Sequence, residues 1–162
     1  MDAIDAKIVE CLKANARENA SVIGSKVNMS VSAIIERIKK LEAAGIIKQY
    51  TLVLDKEKLG LDMTAFISVS MEHPKFNDCL IEYVKEHPKV IECHYITGDA
   101  DFLLKICTDG SKGLEKLVNE IKCVGGVSQT KTLVVLSTDK EEYGPSASSI
   151  MLSLIHISEP TR

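Results

Sequence analysis

Tryptophan is missing from this 162-residue chain, and aromatic residues make up only 4% of it. Any core must therefore be aliphatic, and the 45% of residues that are apolar suffice to build one. The five cysteines (Cys11, Cys79, Cys93, Cys107 and Cys123) are odd in number and widely spaced, with no CxxC pair and no Cys/His cluster at metal-ligand spacing. This argues against structural zinc and reads the thiols as small buried hydrophobes in a reducing compartment. His73, His87 and His94 stand singly. No N-terminal apolar run resembles a signal peptide, and no stretch approaches the ~20 apolar residues of a membrane span, so a cytoplasmic protein is expected. The sequence also shows no Ser/His/Asp arrangement, phosphate loop or paired acid–base motif. No metal, cofactor or enzymatic activity is expected.

The formal net charge of −3 is unevenly spread. Residues 1–60 hold ten Lys and Arg against eight Asp and Glu, whereas residues 61–162 hold ten against fifteen. The basic bias at the N-terminal end is small and permits, without demanding, a polyanionic partner. The length allows one ordinary domain or two small ones.

The stretch from Asn19 to Glu42 reads as two short helices across a tight turn. Asn19 can cap the first, over 20–27, and Ser30 the second, from Val31 to about Ala44, because their side-chain oxygens satisfy first-turn N–H groups. Asn28 tolerates the left-handed backbone that the turn needs, and Gly24 offers a flat spot for another helix. Ile34, Ile38 and Leu41 form one apolar stripe, and Ser32, Ala33, Glu36, Lys39 and Lys40 lie opposite. Such a pair is a helix-turn-helix, with its second helix free to enter a groove of DNA.

Ahead of it, a helix over about 2–14 carries Ile4, Ile8 and Leu12 on one face, with Asp2 and Asp5 at its favoured N-terminal end. After it, Gly45 is a good C-cap, and Ile46, Ile47 and then residues 50–54 read as a strand. These elements define a helix-turn-helix domain over 1–54, a linker over 55–62 and a second domain over 63–140. In that second domain, residues 64–71 alternate as a half-buried strand does, with Ile67, Val69 and Met71 on one face. A helix follows over about 75–86, then strands at 90–96 and 102–108, a helix from Ser111 to about Val124, and a strand at 127–137. The order β-α-β-β-α-β is the ferredoxin-like, split βαβ arrangement, an antiparallel sheet with both helices on one face. The fold class expected is α+β: a winged-type helix-turn-helix domain followed by a ferredoxin-like α/β sandwich. The half-apolar open face of such a sheet is normally covered, and a second copy would cover it, so a homodimer or a higher oligomer is expected.

The polar tail over 141–162 follows a different pattern. Residues 152–162 match nothing before them and resemble a translated sequencing-adapter read-through. They and His156 are set aside from functional reasoning.

At the level of motifs, the chain resembles the leucine-responsive regulatory protein / AsnC (feast/famine) family of transcription regulators. The similarity is carried by residues 2–9, Asn15–Arg17, the motif through residues 37–42, residues 45–50, residues 90–105 and residues 126–135. What the resemblance implies is a one-component sensor. An N-terminal domain would bind palindromic double-stranded operator DNA, and a C-terminal domain would assemble a homodimer, or a higher oligomer such as an octamer. That domain would also bind a small effector, usually an amino acid. By the same resemblance the effector lies near Thr97, Gly98, Asp99, Ala100 and Asp101, with Thr130 and Thr132 on the last strand. Glycine permits close backbone approach, an Asp carboxylate can pair with an α-ammonium group, and turn N–H groups can take a carboxylate. The same Gly and Asp residues equally suit a plain β-turn.

On the DNA side, Ser32, Ala33, Glu36 and Lys40 would face the groove, Ser30 would cap the helix, and Arg37 and Lys39 would contact phosphates from the flanks. Two positions depart from the family pattern. Glu36 stands where a basic residue is more frequent, and Val31 stands where proline is frequent. An acid can accept from cytosine N4 but repels phosphate. The rival reading, a siroheme decarboxylase-like enzyme of the same build, would need several Arg or His residues around a tetrapyrrole, and the C-terminal half has no Arg before Arg162.

Overall fold

The computed structural model describes residues 1–147. The adapter-like stretch 152–162, with His156, lies outside them. The chain divides into two compact units, Met1–Leu52 with the segment beginning at Lys140, and Val53–Asp139.

The first unit holds three helices: α1 (Ala3–Ala14), α2 (Ala20–Val27) and α3 (Val31–Ala43). Each begins on a residue chosen by local chemistry. Asp2 and Asp5 form a reciprocal capping box at α1, Asn19 Oδ1 accepts from the Ser21 N–H, and Ser30 Oγ accepts from the Ala33 N–H. α3 ends in a Schellman turn. Gly45 takes φ +73°, its N–H donates to Glu42 O, and the Ile46 N–H reaches Leu41 O. Ile8, Ile23, Ile34 and Leu41 form an all-aliphatic core, with Ile4, Leu12, Met29, Ile38 and Ile47 packed around it. Near the tail, Glu10 of α1 accepts from the Ala147 N–H at 2.8 Å, and Lys13 donates to Pro145 O at 3.0 Å.

The strand expected over Ile46–Ile47 and 50–54 does not form. A strand needs a ladder partner for its N–H and C=O groups, and the described residues of this unit include no strand to supply one. Ile47 joins the core, the Tyr50 hydroxyl donates to the Glu42 carboxylate at 2.9 Å, and Leu52, Val53 and Leu54 are left exposed. The expected linker at 55–62 contains one 3-10 turn, Glu57–Leu59.

The second unit is a four-stranded antiparallel sheet in the order β2-β3-β1-β4, with β1 (Met63–Met71), β2 (Val90–Tyr95), β3 (Phe102–Thr108) and β4 (Val127–Val134). Helices α4 (Asn77–Glu86) and α5 (Gly110–Lys122) cover one face. Ala65, Ile67 and Val69 of β1 meet Leu80, Val84, Leu117 and Ile121 of the helices, together with Phe102, Leu104 and Ile106 of β3. The helix expected from Lys75 instead begins as a 3-10 turn, Pro74–Phe76. His73 Nδ1 accepts from the Lys75 N–H there, and α4 starts at Asn77.

Cysteine burial also departs from expectation. Only Cys107 is buried, Cys11 is half-buried, and Cys79, Cys93 and Cys123 are exposed. Cys93 pairs with Leu104 on the helix-covered side, but it stands on the edge strand β2, where that side is open to solvent, and Cys123 follows the last turn of α5. Among the described residues, no helix is long and apolar enough to cross a membrane.

Candidate nucleic-acid and effector sites

The turn between α2 and α3 is built by three short-range devices. Asn28 adopts the left-handed conformation at φ 55°, the Met29 N–H donates to Gly24 O at 3.0 Å, and Ser30 opens α3. Gly24 is approached by a second helix, as expected, and more closely by the turn: a Cβ there would stand 3.6 Å from Ile34 of α3 and 2.5 Å from the Met29 carbonyl oxygen.

On α3, Ser32, Glu36, Lys39 and Lys40 are exposed and Ala33 is half-buried. The Ser30 hydroxyl is engaged as the cap and also lies 3.2 Å from Ser32 Oγ. Glu36 pairs with Lys40 at 3.0 Å, and that hydrogen bond holds its carboxyl below the usual range. Pairing tempers the repulsion that a lone Glu36 would exert on a phosphate. Arg37, expected as a flanking phosphate contact, is also tied within the fold. Its Nη1 donates to Asp2 Oδ2 and to Asp5 Oδ1, each at 2.8 Å, tying α3 to the first turn of α1. This pairing holds the Asp2 carboxyl down at about 2, chiefly through the Arg37 hydrogen bond, and the same bonds raise the Arg37 guanidinium.

In the sheet unit, the loop between β2 and β3 carries Thr97, Gly98 (φ +109°), Asp99, Ala100 and Asp101. Its two acids have separate fates. Asp101 is committed to the fold, since its Oδ2 accepts from the Met71 N–H at 2.7 Å, its N–H donates to Val69 O, and its carbonyl accepts from Ile96. Asp99 is exposed and lines a small pocket of about 70 Å³ with Ala100, Ser68, Ser70, Gln129 and Lys131.

Thr130 and Thr132 are not in that pocket. In the β1–β4 register Thr130 faces Val69 and Thr132 faces Ile67, which puts both on the helix-covered side. Their neighbours Gln129 and Lys131 pair with Ser70 and Ser68 on the open face. The sequence reading missed Ser68, Ser70, Gln129 and Lys131. Strand parity is the signal that relates them, once the pairing of β4 with β1 is known. The rest of the open face carries Phe66, Leu103 and Leu133 alongside Lys105, which lies 6.0 Å from the Phe66 ring centroid.

A second, open cleft of about 970 Å³ lies between α4 and α5. Its polar centre is closed on itself. The Tyr83 hydroxyl donates to Glu120 Oε2 at 3.1 Å, and His87 Nε2 shares that oxygen at 3.1 Å. The Lys89 N–H donates to His87 Nδ1, which assigns the ring proton to Nε2. Burial and the Glu120 carboxylate push the Tyr83 hydroxyl up to about 12. Among the described residues there is no group of three or more His, Cys, Asp or Glu that could hold a metal ion.

Known proteins share both halves of this arrangement. Residues 1–42 match the AsnC-type helix-turn-helix domain, and residues 64–145 match the Lrp/AsnC ligand binding domain. The HTH-type transcriptional regulator FL11 of Pyrococcus horikoshii is 36% identical over 141 residues, 87% of this chain and 93% of that protein. Bacillus subtilis LrpC, a solved structure, is 31% identical with a TM-score of 0.80, covering 88% of this chain and 99% of that one. A transcriptional regulator from Neisseria meningitidis, solved as its L-Met complex, is 28% identical with a TM-score of 0.88, covering 93% and 99%.

Proposed function

This chain belongs to the Lrp/AsnC family of transcriptional regulators, and we propose that its helix-turn-helix reads a specific duplex while its sheet unit senses an α-amino acid. One observation carries the sensing half. Asp99 and Lys131, opposite in charge, line one pocket with three neutral hydrogen-bonding side chains, Ser68, Ser70 and Gln129. A free amino acid offers an ammonium to Asp99 and a carboxylate to Lys131, and both contacts are charge-assisted. The L-Met bound by the Neisseria meningitidis relative favours the same ligand class.

The pocket of about 70 Å³ is too small for such a ligand, since small-molecule sites run to roughly 300–1,000 Å³. A second copy completes it. The open sheet face around the pocket, with Phe66, Leu103 and Leu133, is the surface that would pair isologously in a homodimer. A two-fold dimer carries two helix-turn-helix motifs and so matches a palindromic operator. Ser32, Ala33, Glu36 and Lys40 face the bases, Lys39 contacts phosphate, Ser30 caps, and Arg37 positions α3 from behind.

The test is selection of duplexes from a random pool by the full chain, followed by mobility shift and a thermal-shift screen against the twenty amino acids. Enrichment of a palindrome is expected. Lys39→Ala should make the salt slope shallower by about one unit for each phosphate that the variant no longer neutralises. One amino acid should raise the melting temperature of wild type and fail to do so in Asp99→Asn and Lys131→Gln. Binding that ranks selected and scrambled duplexes equally would refute the DNA half. An effector response untouched by both pocket variants would refute the sensing half.

A further inference from the structure

Two side chains form an exposed edge of the apolar stripe on α3, next to its polar face. Val31 is 45% exposed and Ile35 is 42% exposed, although Ile34 and Leu41 of the same helix are buried. At about 100° per residue, positions four apart form a ridge. Val31, Ile35 and Lys39 make one ridge; Ser32, Glu36 and Lys40 make the adjacent one. All six residues are exposed. Bordering the Val31–Ile35 ridge on its other side, Ile34, Ile38 and Leu41 enter the core, and Arg37 is bound to α1. The outward surface of α3 is therefore a polar ridge beside a ridge that is apolar at its N-terminal end and cationic at Lys39.

An apolar N-terminal end is a poor match for phosphate oxygens. It does match the one apolar group that a base pair shows in the major groove, the thymine C5-methyl. Recognition helices of this class meet base edges through their N-terminal residues, where Val31 and Ile35 stand. We propose that Val31 and Ile35 are specificity-determining residues that read thymine methyl groups, with Lys39 anchoring the same ridge on the backbone. This rests on the DNA-binding reading above and extends it: Ser32 and Glu36 read by hydrogen bonding, and the neighbouring ridge reads by apolar contact. Operators should therefore carry A·T pairs where the ridge meets the groove, whatever the polar ridge selects beside them.

The experiment uses duplexes selected by the full wild-type chain and the same duplexes with half-site thymines replaced by deoxyuridine, which removes only the methyl. Wild type should lose about fourfold in affinity for each methyl it buries. The double variant Val31→Ala/Ile35→Ala should bind the thymine duplex more weakly and no longer distinguish thymine from uracil. Because neither residue belongs to the buried core, the double variant should stay folded by far-UV circular dichroism and keep the wild-type salt slope. Val31→Thr, which preserves shape, should retain part of the discrimination. Equal wild-type affinity for the two duplexes, or a uracil penalty that survives in the double variant, overturns the inference and leaves DNA binding standing. A change of oligomeric state in the double variant without loss of thymine preference would make the ridge a protein contact and also overturn it. Failure to bind any duplex removes the DNA-binding reading, and this inference with it.

Discussion

Gly24→Ala is the substitution that most directly probes how the helix-turn-helix is closed. Alanine normally stabilises a helix interior by about 1 kcal/mol relative to glycine, so a helix-propensity argument alone predicts a gain. The geometry predicts the opposite. The new Cβ would lie 2.5 Å from the Met29 carbonyl oxygen, and ordinary contact begins at 3.4 Å, so about 0.9 Å of separation must be created. The obstructing atom is backbone and cannot rotate aside. It also sits in a turn pinned by the Met29 N–H on Gly24 O, by the Asn28 N–H on the same oxygen, and by the left-handed Asn28. Overpacking of this kind costs roughly 1–3 kcal/mol, here toward the upper part because a backbone segment must move. Subtracting the propensity gain leaves a net loss of about 1–2 kcal/mol. In a domain of 60–100 residues that lowers the melting temperature by roughly 5–15 °C. Far-UV circular dichroism follows the helices, with Gly125→Ala as the control, because a Cβ at Gly125 meets nothing within 4 Å. A Gly24→Ala variant as stable as wild type, or more so, would refute the close approach of the turn to the helix.

Two pH titrations test an ion pair and a phenol–carboxylate hydrogen bond in opposite directions. Asp2 is held at about 2, below its ordinary 3.8, so the folded state favours the carboxylate. The stability this adds is complete above pH 4 and is lost as pH falls from about 4 to about 2. Urea midpoints for the N-terminal unit should drop across that window, and Arg37→Ala should lower the neutral-pH midpoint and flatten the drop. An unchanged acid limb in that variant would place the coupling elsewhere. Tyr83 is raised to about 12, chiefly by burial and then by its bond to Glu120, so its contribution is complete below pH 10 and is lost as pH rises toward 12. Burial and the Glu42 carboxylate raise Tyr50 as well, so phenolate absorbance of the Tyr50→Phe variant should show Tyr83 titrating late, and adding Tyr83→Phe should delete that component; its persistence would assign it to another ring.

What could be read from the sequence separates by distance along the chain. Caps and turns involve neighbours a few residues apart, so Asn19, Ser30, the left-handed Asn28 and the Gly45 stop were all legible from their immediate surroundings. The ferredoxin-like order was legible for the same reason, since each strand and helix announces its own periodicity. The strand at 50–54 was not, because a β-favouring run becomes a strand only beside a partner, and propensity says nothing about whether one is in reach. Arg37 is a sharper case. Its helical position suggests a flanking phosphate contact, and only the fold brings Asp2 and Asp5 to it across 35 and 32 positions.

The pocket depends on the phase of β4. Thr130 and Thr132 alternate with Gln129 and Lys131, so the register puts the threonines on the helix-covered side and Gln129 and Lys131 on the open face. With the register known, the chemistry also changes. Two threonines can offer only neutral hydrogen bonds to a ligand, whereas Lys131 brings the cation that an α-carboxylate needs. The acids of the loop sort in the same way. Asp101 spends its carboxylate on the Met71 N–H, which leaves Asp99 as the exposed acid in the pocket. An effector that bridges Asp99 and Lys131 would join the β2–β3 loop to β4, an edge strand, across Ser68 and Ser70 of β1. These are open-face residues, next to the apolar surface through which a second copy would pack. Occupancy and assembly would then draw on one surface, so an amino acid that fits the completed pocket must also shift the oligomeric equilibrium, because linkage makes the coupling reciprocal.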